Sequence, residues 1–248
     1  MNVEAYLDRI GLSEPLEPDL AYLERLQRAH LTAIPFENLD VYARREMRTE
    51  DTWSISKLVD RGRGGWCFEL NGAFANLLEE LGYDVKRLAA HVVQGSGAPM
   101  PTHLSLEVAL DRPYLVDVGF GDSFIKPLPL DSGGPHDGGT GDYGFVFDGE
   151  RVTLVSYEAD GTVEPHYRFE RTDRQLADFE EASVYLRTTP GLQWTQARFA
   201  TRLLDGGPDR VTLLSDRIKF RRSGTWTEHP VDDSEWERLL SEWFSLEP

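Results

Sequence analysis

The chain has 248 residues, enough for one large domain or a few subdomains around a shared cleft, and its 40% hydrophobic and 28% charged content is that of a globular protein rather than a disordered one. A net charge of −17 disfavours a nucleic-acid partner, because phosphate neutralisation needs clustered Lys and Arg. A single cysteine excludes an internal disulfide and any multi-cysteine metal site.

The start, MNVEAYLDRIGL, is acidic and amphipathic. It carries no basic segment followed by an apolar run, and no stretch reaches the roughly 18 apolar residues of a membrane span. The expectation is a cytoplasmic protein without a membrane partner. Asp19 can cap a helix over DLAYLERLQRAHLTAI, in which Leu20, Leu23, Leu26 and Leu31 recur at helical spacing until Pro35 stops it. Ile34 to Leu39 reads as a compact loop. SISKLVDRG reads as a short helix ended by Gly62 or by the Gly64-Gly65 pair. The clearest helix is CFELNGAFANLLEELGYDV, with Leu70, Phe74, Leu77, Leu78 and Leu81 on one face and Gly82 as its stop.

From about residue 85 the period changes to two. VKRLAAHVVQ, THLSLEVAL, RPYLVDVGFG, PLPL, DYGFVF, RVTLVSYE and HYRFERT read as strands, with a glycine-rich, mobile loop over 131–142. Residues 173–204 read as helical, from DRQLADFEEASVYLRT to TQARFATRLL. RVTLLS and IKFRRSG read as two short strands, and SEWERLLSEWF as a closing helix. The order predicts an α+β protein in three parts: a helical region over 1–84, an antiparallel sheet or small barrel over 85–172, and a mixed tail over 173–248.

Cys67 follows Arg63-Gly64-Gly65-Trp66 and opens the clearest helix. The glycine pair allows close backbone approach, and the helix start favours a thiolate and offers amides to an oxyanion. The alternative is an inert cysteine packed as a small apolar residue. A nucleophile needs a base. Of the histidines at 30, 91, 103, 136, 166 and 229, His103 is best placed, opening a strand after the turn Pro99-Met100-Pro101; His91 is second. Asp117 puts a carboxylate inside the apolar run Tyr114-Leu115-Val116, where a buried charge demands a partner. A two-residue turn at Asp111-Arg112 would set Asp117 opposite Leu106, about 10 Å along the strand from His103. Contact therefore predicts a longer loop near 108–112 or a bulge.

Together these residues resemble the arylamine N-acetyltransferase family. The resemblance rests on Ile34-Pro35-Phe36-Glu37-Asn38-Leu39, Arg63-Gly64-Gly65-Trp66-Cys67-Phe68-Glu69-Leu70-Asn71, Thr102-His103-Leu104 and Asp117-Val118-Gly119-Phe120-Gly121, in the family's order and spacing. It covers nearly the whole chain. It implies a helical region, a β-barrel and an α/β lid around a cysteine-protease-like core, with Cys67, His103 and Asp117 as catalytic triad. It further implies acetyl-CoA as co-substrate, an arylamine, arylhydrazine or N-hydroxyarylamine as acceptor, a thioester intermediate and no metal. Phe36 and Phe120 match positions that line the acceptor pocket. Arg63 is expected to pair with Glu37, with Asp40 as a further partner, steadying the cysteine loop. The chain departs from the family at Ser183-Val184-Tyr185-Leu186, at Pro190-Gly191-Leu192-Gln193-Trp194 and at Asp122, changes that bear on donor and acceptor specificity. An amide synthase that closes a macrolactam from an acyl carrier protein is an alternative. A hydrolase using the same triad and a non-catalytic binding module are others.

Overall fold

The computed structural model describes residues 1–95 and 97–247. Helices α1 (Val3–Arg9) and α2 (Leu20–Ala33) open the chain, the latter with Asp19 Oδ1 accepting from Tyr22 N at 2.7 Å. Pro35 ends α2, and the chain then forms a two-residue strand β1 (Phe36–Glu37) and a turn of helix α3 (Leu39–Tyr42) where the sequence suggested only a loop. Helix α4 (Asp51–Ile55) widens into a π-helical turn over Ser56–Asp60, and Gly62, with φ +63°, turns the chain away. Helix α5 (Cys67–Glu80) buries Leu70, Phe74, Leu77 and Leu78 completely, each contributing roughly 1.5–3 kcal/mol of apolar burial.

Strands β2 (Asp84–Val92), β3 (His103–Ala109), β4 (Pro113–Val116), β5 (Leu128–Pro129), β6 (His136–Asp137), β7 (Asp142–Asp148), β8 (Arg151–Tyr157) and β9 (Val163–Arg174) form one antiparallel sheet in the order β5-β4-β3-β2-β9-β8-β7-β6. Its two edge strands lie against each other, so the sheet is a nearly closed barrel. Ile125 N donates to Gly138 O at 2.7 Å across this seam, and Lys126 Nζ reaches Asp137 Oδ2. The glycine-rich stretch 131–142, expected to be a mobile loop, thus supplies the closing edge. Gly138 is required there, since a Cβ would sit 2.4 Å from the Tyr143 ring.

A 3₁₀ turn over Leu176–Phe179 leads into α6 (Glu180–Thr188) and the short α7 (Gln193–Gln196). The sequence suggests helix through 204, but Ala200–Leu203 is a strand, β10. It pairs with β1 on one side and β11 (Arg210–Leu213) on the other, followed by β12 (Arg217–Arg222) and β13 (Thr225–Pro230). β13 was not expected at all; its residues are all exposed and carry no burial signal. Helix α8 (Asp233–Phe244) covers this second sheet through Trp236, Leu240 and Phe244. Among the described residues no helix is long and apolar enough to cross a membrane. The helical region and one face of β3 share a core around α5; the barrel interior and the second sheet have their own.

Candidate active site

Cys67 is the first residue of α5 and is buried. Trp66 enters the helix extended, and Glu69, three residues on, reaches back so that Trp66 N donates to its Oε2 at 3.3 Å. Glu69 is held by Lys57 Nζ at 2.8 and 2.9 Å, and the same ammonium lies 2.8 Å from Asp40. Lys57 is nearly fully buried; burial opposes its charge, but Glu69, Glu37 and Asp40 outweigh it and raise its pKa. The glycines are explained by packing. A Cβ on Gly64 would meet Pro35 O at 2.4 Å, and one on Gly65 would meet Glu69 Oε2 at 2.8 Å. Gly65 N donates to Pro35 O at 3.2 Å, so it is not a free oxyanion donor. The amides of Cys67 and Phe68 open α5 ahead of Glu69 N, which already donates to Trp66 O at 3.1 Å, and these first two have no intrahelical acceptor.

The expected Arg63–Glu37 pair is corrected. Among the described residues no ion pair joins them. Arg63 Nη2 lies 3.3 Å from Asp40 Oδ1 and Nη1 donates to Glu247 O at 2.8 Å. Glu37 instead accepts from Leu39 N at 2.5 Å. Its pKa is raised by burial first, Lys57 opposing and Asp40 and Glu69 adding to the rise. Lys57, Arg63 and Arg45 are the cations around this carboxyl cluster; Asp40 takes all three and Glu69 takes Lys57, while no ion pair reaches Glu37 among the described residues.

His103 begins β3 and Asp117 follows β4 by one residue. The pairing runs Leu106↔Val116, Val108↔Tyr114 and Ala109↔Pro113. The loop is therefore Leu110-Asp111-Arg112, one residue longer than the two-residue turn. The extra residue brings Asp117 level with Ser105 instead of Leu106. It also changes the face, because a one-residue slip turns a side chain to the other side of the sheet. Asp117 then shares its face with His103, two positions along, and Oδ2 lies 2.7 Å from His103 Nε2.

Asp117 is saturated with donors. Asn71 Nδ2 (2.9 Å) and Gly119 N (2.8 Å) donate to Oδ1, and Tyr167 Oη donates to Oδ2 at 2.9 Å. Asn71 also donates to Leu104 O at 2.6 Å and accepts from Val118 N at 2.9 Å. Gln27 Nε2 donates to the Asp117 carbonyl at 3.4 Å. Burial opposes charge on His103, but Asp117, followed by the Cys67 sulfur, outweighs it and lifts the pKa to about 10. With Nε2 committed to Asp117, Nδ1 is the nitrogen left for the sulfur.

Sequence reasoning did not find Tyr167, Gln27 or the role of Asn71. Asn71 stands four residues after Cys67, one helical turn on the same face, which is a usable signal. Tyr167 and Gln27 lie on β9 and α2 and have none. His91, the second histidine considered, is on the outer face of β2, opposite Arg168.

The N-acetyltransferase family profile matches residues 19–247 of this chain. The chain is also 37% identical to the arylamine N-acetyltransferase of Mycolicibacterium smegmatis, over 94% of this chain and 87% of that one. It belongs to the arylamine N-acetyltransferase family.

Solved structures of the family superpose throughout. A variant of the M. smegmatis enzyme matches with a TM-score of 0.90 and 32% identity, covering 100% of this chain and 93% of that one. The Mycobacterium marinum enzyme in complex with CoA matches at 0.89 and 31%, covering 98% and 92%. Against that family frame, Cys67 and His103 open onto a cavity of about 410 Å³. Phe36 and Phe120 both line it, with Trp194 and Phe199. The Phe120 ring centroid is 5.1 Å from that of His103; Phe36 packs on Phe199 at 5.4 Å and on Trp194 at 6.1 Å. Residues 191–194 of the departing stretch are therefore cavity wall. Phe36 is held by the second sheet, since β1 pairs with β10 through Phe36↔Thr201.

Proposed function

We propose that this protein transfers an acetyl group from acetyl-CoA to an arylamine, arylhydrazine or N-hydroxyarylamine through a thioester on Cys67, with His103 as acid and base and Asp117 as the group that orients and charges His103. The observation that carries this reading is the 2.7 Å His103–Asp117 bond beside Cys67 at the edge of an aromatic cavity. The work divides between residues 1–84, which carry the nucleophile, 85–172, which carry His103 and Asp117, and 173–248, the lid.

In the resting pair the His103 proton stays on the ring and Cys67 is a thiolate. The thiolate attacks the acetyl carbonyl, and the amides at the start of α5 hold the oxyanion. The C–S bond to CoA breaks, His103 gives its proton to the departing sulfur, and the enzyme keeps an acetyl thioester. The amine nitrogen attacks that carbonyl, His103 takes the nitrogen's proton, and Cys67 leaves as thiolate. Phe36, Phe120 and Trp194 stack the aryl group and keep out water that would hydrolyse the thioester. The chemistry asks for no metal.

Two steps sharing one covalent intermediate require ping-pong kinetics. Intact-mass measurement after acetyl-CoA addition should show one acetyl group on Cys67, removed by an aromatic hydrazine. A Cys67→Ala protein that still transfers acetyl would overturn the reading. A protein acylated only from a carrier-bound thioester would instead favour the amide synthase.

A further inference from the structure

A second cavity, of about 460 Å³, lies behind the aromatic one, on the far side of the 190–196 segment. Arg44, Arg45 and Arg187 line it together with Thr189, Thr195 and Gln196. Three guanidinium groups around one cavity are unexpected in a chain of net charge −17. Their carboxylate partners do not balance them. Arg45 Nη1 is 3.2 Å from Asp40, which also serves Lys57 and Arg63. Arg187 Nη2 is 3.1 Å from Glu180, and its Nε is buried without a hydrogen-bond partner among the described residues. Arg44 pairs with no carboxylate among the described residues.

Arg44 also occupies a backbone position that suits glycine. It follows the Ala43 cap of α3 with φ +54°, its N donating to Val41 O at 3.1 Å and Arg45 N donating to Asp40 O at 2.8 Å. A side chain there is sterically disfavoured relative to glycine. The chain uses glycine at the comparable stops Gly62 and Gly82. Arg44 therefore stands exposed at this corner with no carboxylate partner among the described residues, free to meet an external anion.

We infer that this cavity binds an oxyanion of the phosphate or phosphate-ester type, gripped by Arg44 and Arg187. The planar guanidinium fork matches a tetrahedral oxyanion with two parallel donors, and the hydroxyl of Thr189 and amide of Gln196 complete a polar lining. The site also reaches the reaction. Thr195 and Gln196 face this cavity, while Gly191, Leu192 and Trp194 of the same segment face Cys67's cavity. Occupancy steadies that shared wall, so it changes the KM for the amine and leaves acetylation of Cys67 unchanged.

The test is titration of the full-length protein with inorganic phosphate at constant ionic strength, against chloride. It is read by thermal unfolding and by Trp fluorescence, neither of which depends on catalysis. Saturable binding with half-saturation at about 1 mM or tighter is expected. Arg44→Gly should fold at least as well as the parent, because it relieves the positive-φ residue, and should weaken phosphate binding about tenfold, the worth of one charge-assisted bond. Arg187→Gln should do likewise. Acetyl transfer by Arg44→Gly in phosphate-free buffer should match the parent. If CoA displaces the phosphate, the oxyanion is the donor's own phosphate group; if both bind together, it is a free ion or ester. No saturable effect of phosphate over chloride, or equal binding by parent and both variants, overturns the inference.

Discussion

At the residue scale the decisive pair is His103 and Asp117. A ring lifted to about 10 stays protonated through neutral pH, so the proposed thiolate faces a constant imidazolium between pH 6 and 8. Alkylation of Cys67 by iodoacetamide should therefore be nearly flat between pH 6 and 8. Asp117→Asn removes the charge that opposes burial, so the ring loses its proton and the thiol returns to ordinary behaviour. Alkylation should then climb with pH toward the usual thiol value of about 8.5, and turnover should fall about a thousandfold or more. A flat profile in Asp117→Asn would sink the assignment. The same coupling stabilises the fold. Because the folded pKa is raised from 6.5, that stability is fully present below about 6.5 and is lost as pH rises through about 10. Cys67, His103 and Asp117, which the structure brings together, were legible because each has a local oddity: glycines before a cysteine, a histidine after a proline turn, a carboxylate in an apolar strand. Tyr167 has no such oddity. It sits in an alternating strand where a buried tyrosine is ordinary, and only the three-dimensional approach of β9 to β4 gives its hydroxyl the Asp117 oxygen.

At the element scale, what matters is how tightly α5 is seated. A Cβ on Gly119 would stand 2.7 Å from Cys67 Cα, which is backbone at a helix start and cannot swing aside. Gly119→Ala should lose about 1–3 kcal/mol of stability and slow Cys67 alkylation together, as thermal unfolding and the alkylation rate will show. Beneath the cysteine loop the buried Lys57 holds Glu69 and Asp40. Lys57→Met strands the buried Glu69, leaving Asp40 to Arg45 and Arg63, and should cost about 3–5 kcal/mol in denaturant unfolding. Adding Glu69→Gln to Lys57→Met should recover part of that loss; a double variant worse than Lys57→Met alone would contradict the charge balance drawn here. Elements were readable where the signal is local. α5 shows its apolar face and β2 to β4 their alternation. β10 did not, because Ala200–Leu203 is short and becomes a strand only by pairing with Phe36–Glu37, far away in the chain. The extra residue in the β3–β4 loop was legible only as a requirement for His103 and Asp117 to meet.

At the scale of the whole molecule the class of fold follows from period and order, while barrel closure does not. The closing edge comes from a glycine-rich stretch that composition alone assigns to a loop, and its pairing is fixed by Tyr143 and Ile125 packing where side chains are missing. The core also stores an acid sensitivity. His30 on α2 is fully buried beside Phe74, its Nδ1 3.1 Å from Tyr6 Oη, and burial, reinforced by Arg9, holds its pKa down to about 3. The unfolded chain takes up the proton near 6.5 and the folded chain does not. Stability from this residue is therefore complete above about 6.5 and declines as pH falls toward about 3. The slope is about 1.4 kcal/mol per pH unit, or about 2 kcal/mol between pH 6.5 and 5. His30→Met keeps the volume and removes the titration. It should shift unfolding by a constant amount at every pH, from the lost Tyr6 contact, but its stability should fall less steeply than the parent's between pH 7 and 5. Parallel curves for the two proteins across that window would mean that His30 takes up its proton without unfolding the core, and that the acid sensitivity belongs to the carboxylates instead.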